Sequence, residues 1–88
     1  MTVSARGEIA TALDRLEAAG FAMGPAWTTG HELAQAHEGE TLFDRLHALL
    51  HRIEGDEWNA GYWYRRAGVP ARDGPFADEA AALRSAIA

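Results

Sequence analysis

Residues 50–60 read "LHRIEGDEWNA", two helix-forming runs that meet at a single glycine and a single aspartate. Upstream, in "TLFDRLHALLHRIE", Leu42, Phe43, Leu46, Leu49, Leu50 and Ile53 fall on one arc about 120° wide at helical spacing. Thr41 is placed to cap this helix, and Asp44 in its first turn favours the positive end of the helix dipole. Downstream, "EWNAGYWYRRA" runs to Gly68-Val69-Pro70, which stops it. Gly55 ends the first helix by taking the left-handed conformation, and Asp56 caps the second. With no chain left for a crossover, the two helices must return on each other as an antiparallel hairpin spanning residues 41–67.

The remaining segments supply what that hairpin packs against. "SARGEIATALDRLEAAG" carries Ala5, Ile9, Ala12, Leu13, Leu16 and Ala19 at helical spacing, with Ser4 as the expected N-cap and Gly20 as the stop. Gly24-Pro25 reads as a turn, so residues 21–30 are expected as an ordered loop that folds Phe21, Met23 and Trp27 onto the core. A short helix from His31 to His37, closed by Gly39, follows. A last amphipathic helix is expected over 76–87, with Phe76, Ala80, Leu83 and Ile87 as its stripe. Period-2 alternation is absent. The expected fold is all-α: a single domain, 1–88, forming a compact bundle of four to five helices around the central antiparallel helical hairpin.

Composition narrows the function classes. The net charge is −5 and all eight basic residues are Arg, with no basic stripe, which removes the electrostatic drive for nucleic-acid binding. No apolar run approaches the roughly 18 residues of a membrane span. The segment "MTVSARGEIA" lacks a signal-peptide h-region, so the expectation is a soluble, cytoplasmic protein that binds neither nucleic acid nor membrane. The absence of cysteine excludes disulfides, thiolate metal sites and cysteine nucleophiles.

Chemistry-bearing residues concentrate at the hairpin. His47, His51 and Glu54 stand at i, i+4 and i+7 within about 60° of arc on the border of the apolar face, and Asp44 joins the edge of that arc. Two histidines at i, i+4 can share a divalent transition metal, with a carboxylate one turn later as third ligand. Ala48 follows the first histidine where a zincin motif requires Glu, so that chemistry is excluded. His31 and His37 add ligands if their segment folds back. On the second helix, Trp58, Tyr62, Trp63 and Tyr64 put aromatics on nearly every side. They are either core or a binding wall. Asn59, Arg65 and Arg66 also fit a structural reading, tying the hairpin to its neighbours through hydrogen bonds with Glu54, Glu57 or free carbonyls.

The hairpin resembles part of a tetratricopeptide or Sel-type repeat: Ala48 matches the small residue of the first helix, and Ala60-x3-Tyr64 and Ala67 match the second. The resemblance covers about a quarter of the chain. Asp44, His47 and His51 depart from the apolar and aromatic residues of the repeat, and Pro70 is displaced from its closing proline. The pattern His51-x2-Glu54-Gly55-Asp56-x2-Asn59-Ala60-x-Tyr62-Trp63-Tyr64 is similar to a motif of small helical proteins of bacteria and fungi; this resemblance implies a site at the hairpin and names no reaction.

Two functions are expected. The first is a non-enzymatic interaction module that needs no cofactor. It would bind a protein, a peptide or a second copy of itself through Trp58, Tyr62, Trp63 and Arg66. The alternative is a metal or small-molecule site, with an enzyme among its outcomes, in which His47, His51 and Glu54 act beside Asn59, Tyr62 and Arg65. Histidine and carboxylate one turn apart can move protons near neutral pH. No nucleophile motif or phosphate loop accompanies them, and lysine is absent.

Overall fold

The computed structural model describes residues 3–88, with side chains from residue 5 onward. Five helices follow in order: α1 (Val3–Ala18), α2 (Pro25–Ala36), α3 (Thr41–Glu54), α4 (Glu57–Ala67) and α5 (Phe76–Ile87). There is no strand among the described residues. None of these helices is long and apolar enough to cross a membrane.

α3 is the axis of the bundle. It packs on α2, α4 and α5, while α1 closes the far side against α2 and α5. Phe43, Leu46, Leu49 and Leu50 on α3 are completely buried against Ile9, Leu13, Leu16, Ala34 and Leu83. The opposite side of α3 buries Ala48 against Ala60, Trp63 and Tyr64 of α4 in a second, smaller cluster. The two alanines bring the helix axes close, as a hairpin with so short a connection requires. At that connection Gly55 is left-handed (φ 86°), and the Asp56 N–H donates to the His51 carbonyl at 2.9 Å. The Asp56 carboxylate accepts the Asn59 backbone N–H at 3.1 Å and its side-chain amide at 2.6 Å. The hairpin and the final helix therefore stand as the sequence predicts.

Three features at helix starts differ. Residues 21–30 are not one loop: only Phe21–Gly24 lie outside helix, and α2 already begins at Pro25. Proline at the first helical position is preorganised in φ and loses no hydrogen bond there, so Gly-Pro here marks a helix start. The expected short helix over His31–His37 is the second half of α2, with His37 as its C-cap. Thr41 does not cap α3. Glu40 flanks that helix, and Asp44 reaches back to accept the Gly39 N–H at 3.0 Å. The expected Ser4 cap falls within α1, and its side chain lies outside the described residues.

A buried ion pair ties three helices together. Arg52 on α3 donates to Glu79 on α5 at 2.6 Å and to the Gly74 carbonyl at 2.6 Å. The Tyr64 hydroxyl on α4 donates to the same carboxylate, 2.7 Å from each oxygen. Every charge in this tie is hydrogen-bonded, the condition under which a buried pair is tolerated.

Candidate metal centre

α3 carries His47 and His51 on adjacent turns of one face, with parallel rings whose centroids lie 5.0 Å apart (18° between planes). α2 delivers the third imidazole. Gly30 of α2 faces Leu50 of α3, where an added Cβ would lie 3.6 Å from both Leu50 methyls, an ordinary packing distance. One turn before His31, Trp27 anchors the approach by donating its indole N–H to the Leu50 carbonyl at 2.6 Å. The Trp27 ring stacks on His31, with centroids 4.7 Å apart. The result places Nε2 of His31 3.1 Å from Nε2 of His47. His51 crosses His31 edge-on at 5.2 Å, and one nitrogen from each of the three rings lies within 4.8 Å of the others.

α4 supplies the back wall. Trp63 lies face to face with His47, centroids 3.8 Å apart and planes 14° apart. His31 and His47 are thus each backed by an indole on a different helix, which fixes their ring planes.

Burial holds His47 neutral. Desolvation, followed by the nearby His31 and His51, pushes its pKa down to about 3. His31 is lowered by burial and by His51, against the partial pull of Glu54, Glu38 and Glu32. Neutral imidazoles are what a metal ion requires, because each must offer a lone pair. The spacing is also suitable: two nitrogens on one tetrahedral zinc sit about 3.3 Å apart at ordinary Zn–N distances. His51 points its Nδ1 at Glu54 Oε1, 2.9 Å away, which leaves Nε2 as the nitrogen with a free lone pair. A carboxylate on the second ring nitrogen is the usual way a ligating histidine is oriented.

Of the three residues expected as metal ligands, His47 and His51 come together. Glu54 instead sits behind His51, and the third nitrogen of the cluster comes from His31. His51, Glu54 and Asp56 form a second close group, but both Asp56 oxygens are already engaged by Asn59. Asn59 is therefore a partner of the cap. His37 lies apart, stacked on Phe43 at 4.1 Å and paired with Glu40 at 2.7 Å.

The aromatics divide. Trp63, expected among the anchors for a partner, is 7 % exposed and belongs to the wall behind His47. Tyr64 is core. Trp58 is 74 % exposed and stacks on Tyr62 at 6.5 Å. Arg66 donates to the Tyr62 hydroxyl at 2.9 Å and covers the faces of both Tyr62 and Trp63. Arg65 is exposed. Trp27 is the site residue that sequence reasoning placed only in a loop. Its signal is the i, i+4 spacing of Trp27 and His31, visible once Pro25 is read as a helix start.

No family model, no curated protein and no solved structure matches the chain.

Proposed function

We propose that this protein binds a divalent transition metal through His31, His47 and His51. The observation that carries the reading is the 3.1 Å approach of the His31 and His47 Nε2 atoms, with a nitrogen of His51 as the third corner. An all-imidazole donor set favours zinc, copper, nickel or iron over magnesium and calcium, which prefer oxygen. Three protein nitrogens leave a fourth position for water or a small ligand, as in catalytic rather than structural zinc sites. The ion would also clamp α2 to α3.

The test is a melting curve of chelator-stripped protein with Zn²⁺, Cu²⁺, Ni²⁺ or Mg²⁺ added singly. Occupancy at 100 times Kd adds about 2.7 kcal/mol, a rise in Tm of roughly 10 °C or more in a domain of this size. The rise is expected with the first three ions, and neither with Mg²⁺ nor in His31→Ala. Flat curves with all of them overturn the reading.

A second reading rests on Trp58. Its exposed ring, with Tyr62 and Arg66, offers the residue types that anchor protein contacts. Association with a protein, a peptide or a second copy through this patch predicts that Trp58→Ala abolishes association while leaving Tm unchanged.

A further inference from the structure

Among the described residues, two buried side-chain polar atoms have no hydrogen-bond partner: Oδ2 of Asp44 and Nδ1 of His47. Their side chains are 1 % and 2 % exposed. Leaving such a group unsatisfied is destabilising, so two in one small domain call for a physical account. They are complementary: a carboxylate oxygen only accepts, and an imidazole Nδ1 donates when it carries the proton. They also belong to residues at i and i+3 of α3, whose Cβ atoms lie about 5–6 Å apart on one helix face.

We infer that Asp44 is the positioning residue for His47, holding the proton on Nδ1 so that the Nε2 lone pair faces His31 and the metal. This inference rests on the metal-binding reading above. The link is made by one buried water, since buried waters characteristically join polar groups that lack protein partners. Asp44 is already anchored from the other side, because its Oδ1 accepts the Gly39 N–H at 3.0 Å. That bond fixes the carboxylate and leaves Oδ2 for the histidine.

The arrangement mirrors what the structure contains one turn further on. There Glu54 engages Nδ1 of His51 at 2.9 Å, again at a spacing of three residues. Asp44-x2-His47-x3-His51-x2-Glu54 is thus a symmetric pattern in which each histidine of α3 has its own carboxylate, one turn outward along the helix. Outer carboxylates of this kind set the tautomer and raise the basicity of the ligating nitrogen. In metal-free protein the same tautomer makes His47 Nε2 the acceptor, with His31 Nε2–H as donor across the 3.1 Å contact.

The experiment uses Asp44→Asn, which keeps an oxygen for the Gly39 N–H but replaces the carboxylate, with Glu54→Gln as the parallel variant. Zinc affinity is measured by competition with a chromophoric chelator, and the tautomer of His47 by ring ¹⁵N–¹H correlation in metal-free wild type. The expected results are a 10- to 100-fold weaker zinc affinity in Asp44→Asn and an Nδ1–H tautomer for His47. An affinity within twofold of wild type, or an Nε2–H tautomer, overturns the inference and leaves the tri-histidine reading standing. Absence of zinc binding in wild type overturns the tri-histidine reading, and the tautomer then decides by itself whether Asp44 holds His47. If Asp44→Asn fails to fold, the wild-type tautomer decides in the same way.

Discussion

His31 on α2 and His47 on α3 aim their Nε2 atoms at one another across 3.1 Å, although 16 residues separate them in the chain. The two differ in what stands behind them. His31 is half-exposed and backed on one face by Trp27, whereas His47 is enclosed and pressed against Trp63. Replacing them should therefore have unequal consequences without metal. His31→Ala is expected to change the stability of the apo protein by less than about 1 kcal/mol. His47→Ala opens a cavity against the Trp63 face and should cost about 2–4 kcal/mol. Urea unfolding of both variants in chelator checks the order, and equal losses would mean that the burial difference has no energetic consequence.

The Arg52–Glu79–Tyr64 tie predicts a graded series. Tyr64→Phe removes one hydrogen bond to a carboxylate that keeps its arginine, at about 1.5–3 kcal/mol. Glu79→Ala leaves the Arg52 guanidinium buried without its partner, at about 3–5 kcal/mol. Denaturant midpoints should fall in that order. A Glu79→Ala protein as stable as Tyr64→Phe would show that Arg52 finds solvent when released.

Asp56 is the cap whose charge can be read by pH. The Asn59 N–H, then the Asn59 side-chain amide, hold its carboxyl below the ordinary value of 3.8. Because the folded value is the lower one, the carboxylate stabilises the fold above pH 3.8. That contribution disappears as pH falls through the folded value. Asp56→Ala should lower Tm by about 5 °C near neutrality. The Tm gap between wild type and Asp56→Asn should stay constant down to about pH 5 and shrink as pH falls below 3.8 toward the folded value, since the amide caps without titrating. A gap independent of pH would remove the charge from the account.

Gly30 sits inside α2 with ordinary helical geometry, and an added Cβ would meet the Leu50 methyls at 3.6 Å, a normal packing distance. Gly30→Ala should therefore raise stability by up to about 1 kcal/mol by restricting the unfolded chain and improving helix propensity. It should leave zinc binding intact. A destabilised variant would show that α2 approaches α3 as closely as a glycine alone permits.

The hairpin was legible because its information is local. Gly55, Asp56 and the apolar arc of α3 specify a turn and two helix ends within a few residues, and the same holds for α5. The start of α2 is ambiguous in the sequence because Gly24-Pro25 satisfies both a turn and the first turn of a helix, and the choice falls to whether Trp27, Gly30 and Ala34 find a surface to bury against. Thr41 lost the capping role for a related reason: the chain enters α3 at an angle that brings Gly39 to Asp44.

By itself the sequence determined an all-α bundle, its hairpin, and the shared face of His47 and His51, since helical periodicity puts residues four apart side by side. Only the tertiary structure decided that His31 completes the group, that Glu54 stands behind His51, and that Trp63 faces inward while Trp58 faces out. These depend on where α2 and α4 lie against α3. That placement is set by burial of whole apolar faces, through Ala48 against Ala60 and Gly30 against Leu50, and no spacing within one helix encodes it.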